Sequence, residues 1–262
     1  FESEGVHHME KNLNNYKITE YKFRDAKLPK QQQVGWSFFV REGTMDNFIV
    51  AEVIVNDVYK IKNMLQFMNI NVPKTIVDLG AQIGGFTKYC AVSFPYTKIY
   101  SYEGLEENFE ILKMNTSNYS NVKIENKIVC GNKNPTQIHM PANKNGKLGF
   151  NTGGAQFSFS DDKESQIFNN TTNLKKIIEE NNIEEIDFLK IDIEGSEYEV
   201  LKYAKETGVL SKVKCMVCEL HVCPEKGRFF GQFLEYLDDF SYLKCVQIDP
   251  ESKNSRIVFA IK

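Results

Sequence analysis

What the sequence has little of narrows the reading first. Its 262 residues include one Trp, seven Pro and six Cys, and the net charge is only -3. No basic surplus exists to build the field that draws a protein onto nucleic acid, so none is expected as a partner. Long apolar runs are missing too. Stretches such as Ile76-Val77 and Cys215 to Cys218 fall far short of the roughly 20 residues that cross a bilayer, and no membrane span is expected. No basic segment followed by an apolar one opens the chain, so a secretory leader is not expected. The cysteines are ordinary in number for this length. Cys90, Cys130, Cys215, Cys218 and Cys245 sit in apolar stretches, where a reduced Cys acts as a small hydrophobe. A reducing, cytoplasmic setting is the expectation. In so Asn-rich a chain, triplets such as Asn115-Thr116-Ser117 arise by chance and do not argue for secretion.

The length suits one α/β domain with an N-terminal extension. Residues 1–72 read as that extension or lid and 73–262 as the main domain. The first 35 residues look polar and irregular, and apolar residues recurring from Phe48 to Tyr59 suggest a lid or small accessory layer. Strands and helices then alternate. Strands are expected over Thr75–Leu79, Lys98–Tyr102, Val122–Val129, Ile186–Ile193 and Val213–Val222. Helices are expected over Gly84–Phe94, stopped by Pro95, and over Glu106–Met114, Asn173–Asn181 and Tyr198–Ala204. Phe230, Phe233, Leu234, Leu237 and Phe240 follow helical spacing and predict a core face. After Cys130 the alternation lapses for about forty residues, a length usual in functional loops. Within it Asn145-Gly146 reads as a hairpin turn, and Gln156 to Phe159 alternates like a strand. Val246–Ile248 and Ile257–Ile261 close the chain as two consecutive strands. The expected fold is α/β: a doubly wound, mostly parallel seven-stranded sheet with a C-terminal antiparallel hairpin.

The most informative stretch is Asp78-Leu79-Gly80-Ala81-Gln82-Ile83-Gly84-Gly85, between a strand and a helix. In an open parallel sheet, ligands bind beyond the carboxyl ends of the strands, beside the first one. Gly80 permits a sharp turn with positive φ, while Gly84 and Gly85 remove side chains where a nucleoside would approach. Glu103 ends the second strand, where a carboxylate can accept bonds from two ribose hydroxyls. A dinucleotide fingerprint would need Gly where Gln82 stands, and no Gly-Lys-Ser/Thr follows to make a phosphate loop.

Residues Asp78 to Thr87 resemble the first motif of the FkbM-type methyltransferases. Further matches follow in order. Arg41-Glu42-Gly43-Thr44-Met45-Asp46 is similar to that family's Arg-Pro-Gly-Thr-Ser-Asp segment, and Tyr102-Glu103-Gly104 through Asn108-Phe109 to its acidic strand end. Asn151-Thr152-Gly153-Gly154 is similar to its glycine loop. Ile186-Asp187-Phe188-Leu189-Lys190-Ile191-Asp192-Ile193-Glu194-Gly195-Ser196-Glu197 is the closest match. The resemblance spans about residues 40 to 222, with Glu42 and Gly104 in place of Pro and Gln82 in place of Asn. It implies a class I methyltransferase, Rossmann-like fold and methyl transfer from S-adenosylmethionine, usually to a hydroxyl of a sugar or other small metabolite. It further implies a cofactor site of Asp78, Gly80, Ala81, Gln82, Ile83, Gly85, Phe86, Thr87, Glu103, Gly104, Asn108, Ile128, Val129 and Asp192. Asp46, Asn151 and Gly153 would face the acceptor.

A hydroxyl acceptor needs a base within reach. Side chains alternate along a strand, which places Lys190, Asp192 and Glu194 on one face, and Glu219 with His221 on one face of the next. Asp192, Glu194, Glu219 and His221 are therefore expected at one rim as catalytic residues, with His221 as base, Glu219 its partner, and the other two carboxylates positioning. Asp192 or Glu194 could instead cap the helix near Ser196. The same donors suit a divalent ion, though no metal is expected, and Cys215 and Cys218 would point to opposite faces and cannot share zinc. The leading expectation is an O-methyltransferase for a saccharide or similar polyhydroxylated metabolite. An N-methyltransferase for a small amine and a non-catalytic S-adenosylmethionine-binding module are the alternatives.

Overall fold

A computed structural model describes residues 7–13, 16–23, 36–135, 137–139, 153–154, 156–158, 169–223, 227–247 and 255–262. The chain begins with strands β1 (His7–Leu13), β2 (Tyr16–Phe23) and β3 (Trp36–Arg41), then helices α1 (Asp46–Ile54) and α2 (Ile61–Phe67). The central alternation follows as β4 (Thr75–Leu79), α3 (Gly85–Ser93), β5 (Lys98–Tyr102), α4 (Glu106–Thr116), β6 (Val122–Glu125) and β7 (Ile128–Val129). After β8 (Gln137–His139), β9 (Gln156–Ser158) and β10 (Thr171–Thr172) come α5 (Leu174–Glu180), β11 (Phe188–Ile191), α6 (Glu197–Glu206) and β12 (Cys215–His221). Helix α7 (Phe230–Glu235), β13 (Tyr242–Gln247) and β14 (Ser255–Ile261) complete it.

Seven strands form the main sheet in the order β13-β14-β12-β11-β4-β5-β6. From β12 to β6 all neighbours run parallel, while β14 pairs antiparallel with both β12 and β13. This is the expected doubly wound, mostly parallel sheet with its C-terminal antiparallel hairpin. The order reverses at β4, so a crevice opens where β4 and β11 diverge.

Strand alternation sorts the core onto two faces. Val77, Leu189, Ile191, Met216, Cys218 and Val258 pack with α5, α6 and the Phe233–Phe240 segment. Ile76, Phe188, Cys215, Val217 and Phe259 pack on the opposite face, against α2 and α3. Cys215 and Cys218 thus lie on opposite faces, as the strand reading requires. The six cysteines are free, and Cys245, expected in an apolar stretch, is exposed on β13. Asn115 is buried, bonding the Phe39 and Ile83 backbone. No helix among the described residues is long and apolar enough to cross a membrane.

Three expectations change. Much of the polar N-terminal segment is not irregular: β1, β2 and β3 form an antiparallel sheet in which Ile18, Phe38 and Val40 are buried with Val50 of α1 and Ile111 of α4. The expected strand Val122–Val129 is two. Asn126 leaves the ladder to donate to the carbonyls of Glu103 (2.9 Å) and Gly104 (3.4 Å), and β7 pairs instead with β10. The helix predicted by Phe230 to Phe240 is short, although Phe233, Leu237 and Phe240 are buried. Gln156–Ser158 is a strand, paired with β8; Asn145, Gly146 and Phe159 lie outside the described residues.

The N-terminal sheet is fastened to the main one by ions rather than by apolar packing alone. Arg41, at the end of β3, is 3% exposed and Asp46, at the start of α1, 0%. The guanidinium donates to both Asp46 oxygens (2.8 and 2.9 Å) and to Asn108 Oδ1 (2.7 Å) on α4. Asp46 also accepts from the Arg41 amide (2.9 Å) and from Gln82 Nε2 (3.1 Å). Asp46 therefore does not face an acceptor, as sequence alone had it; its carboxylate is occupied inside the protein. Breaking a buried ion pair strands one charge and costs about 3–5 kcal/mol. Asp46→Ala is expected to lower the urea unfolding free energy by that amount, and a loss under about 1 kcal/mol would show the network to be dispensable.

Candidate active site

The loop after β4 is shaped by three left-handed residues: Gly80 (φ 82°), Gln82 (φ 51°) and Gly84 (φ 91°). A Cβ on Gly80 would lie 1.7 Å from the carbonyl oxygen of Asp192. Only glycine lets the ends of β4 and β11 come this close. The amides of Gly80 and Ala81 donate to the Tyr102 carbonyl, which ties the loop to the end of β5. Glu103 then accepts from the Gln82 amide (2.8 Å), the Leu105 amide (2.9 Å) and Asn108 Nδ2 (3.4 Å). Burial lifts its pKa to about 7 despite these donors. The other glycines have local reasons. A Cβ on Gly84 would press to 2.8 Å from Leu112 of α4, so this residue serves helix packing rather than ligand approach. Gly85 faces Val50 and Val53 of α1 at ordinary contact distance and also borders the cavity.

A cavity of about 300 Å³ opens over these strand ends, within the size range of small-molecule sites. Of the residues chosen from sequence, Gly80, Ala81, Gln82, Gly85, Phe86, Glu103, Gly104, Asn108, Ile128 and Val129 line it. Gly153, Asp192, Glu194 and Glu219 do as well. Asp78, Ile83 and Thr87 do not. Asp78 is wholly buried behind the loop, 3.2 Å from Lys190 Nζ, and Thr87 donates to it (2.6 Å). Ile83 belongs to the N-terminal core. These three shape the site from beneath, and Asn151 lies outside the described residues.

The rim is denser in charge than sequence suggests. Lys190 is 3% exposed and donates to the Gly80 carbonyl (2.6 Å), with Asp192 3.8 Å away. Burial opposes its charge, but Asp78 and Asp192 outweigh that and raise its pKa. Tyr59, unnoticed in the sequence, donates from its hydroxyl to Asp192 Oδ2 (2.9 Å). Glu219 and Glu194 each rise to about 8, first through burial and then through the charge of Asp192 and neighbouring carboxylates.

His221 is held differently from the sequence expectation. Its Nδ1 lies 2.9 Å from Glu197 Oε1, while Nε2 faces Glu194 (3.3 Å) and, more distantly, Glu219 (3.8 Å). Its partner is thus Glu197, not Glu219. Burial opposes the imidazolium, but Glu197, Glu194 and Asp192 together raise its pKa well above the usual value. Nor does His221 line the cavity; it stands behind the carboxylates. Neither Asp192 nor Glu194 caps α6. Glu197, the first residue of α6, instead braces the turn before the helix, accepting from the amides of Gly195 (2.8 Å) and Ile193 (3.3 Å). Glu194 takes a left-handed backbone (φ 53°), which ends the strand alternation and turns it to His221. A carboxylate two residues after a Gly, opening a helix, was the available signal for Glu197. Ligand atoms of Asp192, Glu219 and His221 lie within 4.8 Å of one another, the single such metal-compatible group among the described residues.

The family model for the methyltransferase FkbM domain matches residues 78–244. No curated protein matches the sequence. Among solved structures, the N-terminal domain of human METTL16 in complex with SAH aligns at 12% identity over 79% of this chain and 69% of that one, with a TM-score of 0.45. A precorrin-6y C5,15-methyltransferase from Geobacter metallireducens aligns at 12% identity over 77% and 86%, TM-score 0.42. The bifunctional kinase-methyltransferase WbdD aligns at 10% identity over 78% and 37%, TM-score 0.44.

The His221 environment has a direct check. In an NMR titration the wild-type imidazole is expected to stay charged through neutral pH. Glu197→Gln removes the closest counter-charge, leaves burial opposed by less, and should bring the His221 pKa down toward the ordinary histidine range. An unchanged titration would mean that Glu197 is not what holds the charge.

Proposed function

The chain belongs to the FkbM methyltransferase family, and we propose that it methylates a hydroxyl of a saccharide or another small polyhydroxylated molecule, using S-adenosylmethionine. The residues present suit that cofactor. Glu103 keeps unused acceptor capacity, since a carboxylate has about four lone-pair sites and three donors occupy it. Leu105, Ile128 and Val129 give apolar wall for a flat ring. The carboxylate of Asp192 provides a counter-charge for the cofactor's positive end. The sulfonium supplies an electrophilic methyl group; alignment and proton removal are left to the protein.

The observation that carries the reading is Glu219. It lines the cavity with a pKa raised to about 8, and its oxygen lies 3.8 Å from the His221 ring. A carboxylate in that state suits a base that accepts a hydroxyl proton. We assign the base to Glu219 in place of His221, whose nitrogens are both turned to carboxylates. The imidazolium of His221 then steadies the negative charge left on its neighbours. Asp192 and Glu194 position donor and acceptor. The modest cavity and the net charge of -3 favour a small acceptor over a nucleic acid.

Transfer to an amine has one specific support. Glu52, Asp192, Glu194 and Glu219 all line the cavity, against Lys190 and Lys127, and this acidic surplus would also suit a cation. Methyl-labelled cofactor offered with a panel of sugars, small amines and phenols separates the readings. Label is expected on a sugar hydroxyl; label confined to amines would overturn the hydroxyl assignment. With the accepted substrate, turnover should rise with pH, because Glu219 must be ionised to act and is protonated below about 8. The bound sulfonium will draw that midpoint lower. Glu219→Gln should cut turnover by about 10²–10⁴-fold and erase the rising limb. Separately, Glu103→Ala is expected to weaken calorimetric binding of S-adenosylhomocysteine by about 1.5–3 kcal/mol. Unchanged affinity would remove Glu103 from the cofactor site.

A further inference from the structure

Tyr59 lies in the turn between α1 and α2, ahead of the family-matched segment 78–244. The turn is unusual. Asp57 (φ 47°) and Lys60 (φ 48°), which bracket Val58 and Tyr59, both adopt the left-handed conformation, which residues with side chains seldom take. The Lys60 amide closes the turn on the Asp57 carbonyl (3.1 Å). Backbone outliers of this kind persist where the surroundings fix them, often beside functional groups. What this turn delivers is a phenol, 7% exposed, at the cavity wall. Its ring stands edge-on to Phe86 at 5.3 Å and lies under the Lys190 ammonium at 5.4 Å. Its hydroxyl donates to Asp192 Oδ2 at 2.9 Å.

Asp192 follows the last residue of β11, and its side chain is 22% exposed. The Lys190 ammonium, 3.8 Å away, attracts it without fixing its rotation. A single directional bond from Tyr59 does fix it. We propose that Tyr59 is a positioning residue for methyl transfer, a side chain of the N-terminal extension that aims the Asp192 carboxylate at the positive end of the bound cofactor. This rests on the reading of the cavity as an S-adenosylmethionine site. It gives the extension a direct part in the site, through a residue outside the family motifs.

The test is calorimetric binding of S-adenosylmethionine and S-adenosylhomocysteine to the full chain as wild type, Tyr59→Phe, Asp192→Asn and the double variant. Tyr59→Phe keeps the ring and its contact with Phe86 and removes only the donor. It is expected to weaken S-adenosylmethionine binding by about tenfold, the scale of one hydrogen bond to a charged group. S-adenosylhomocysteine, which lacks the sulfonium charge but keeps the α-ammonium, should be weakened as well, by the same factor or less. In the Asp192→Asn background the same change should matter by less than about twofold, since coupled partners are non-additive. The melting temperature of Tyr59→Phe should stay within about 3 °C of wild type. Wild-type affinity in Tyr59→Phe would overturn the proposal and leave the cofactor reading intact. Equal losses with and without Asp192, or a large fall in melting temperature, would mark a structural role and overturn it as well. Absence of binding by the wild type to either compound would remove the cofactor reading and this inference with it.

Discussion

The rest of the site hangs on a lysine that sits where lysines rarely do. Lys190 is buried in the centre of the sheet, opposite Asp78 in the register of β11 and β4. An isolated ammonium there would be prohibitively costly, so its charge is tolerable only because it is matched. Its three nearest oxygens come from Asp78, the Gly80 carbonyl and Asp192. One belongs to a strand, one to the loop that follows it, and one to the end of the neighbouring strand. A single cation therefore sets the distance between the two strand ends that open the crevice. Thr87 and Ser101 extend the same polar row onto α3 and β5.

From that row the charges alternate outward. Asp78 faces Lys190, Lys190 faces Asp192, and Asp192 stands near Glu219 and Glu194, with His221 and Glu197 behind them. Carboxylates outnumber cations at the cavity, and burial magnifies their repulsion. Burial itself, and then this repulsion, raises Glu194 and Glu219 to about 8, so both hold protons near neutral pH. Such an arrangement is poorly satisfied alone. It improves when positive charge enters, which matches a cofactor carrying a sulfonium.

Much of this was legible in the sequence, and the failures have common causes. The parallel strands were readable because both faces are covered, giving short, mostly apolar runs such as Thr75–Leu79 and Phe188–Ile191, each interrupted by one buried charge, Asp78 or Lys190. Gly80 was readable because a strand end followed by glycine admits few conformations. The gathering of Asp192, Glu194, Glu219 and His221 followed from strand neighbours and alternation. The detail did not, because Glu194 leaves the strand with a positive φ that no periodicity announces. Asp46 was misplaced because a motif gives residue order and not burial. Tyr59 was invisible since its role depends on a turn between two left-handed residues, neither of them glycine. The N-terminal strands were hidden by polar residues; in β2, Thr19 is as buried as many apolar neighbours.

The position of β14 bears on the order in which the molecule can assemble. It lies between β12 and β13, and opposite Glu219 it presents Ile257, a cavity-lining residue. During synthesis, β12 and β13 both leave the ribosome before their shared neighbour exists. Until residues 255–261 emerge, the β12 edge stays open and β13 has no place in the sheet. An open apolar edge is a hazard for pairing with other chains. The half of the sheet that carries the glycine loop can close early, whereas the wall beside Glu219 is built last. Nascent chains stalled before residue 255 would thus carry a finished loop and an unfinished wall.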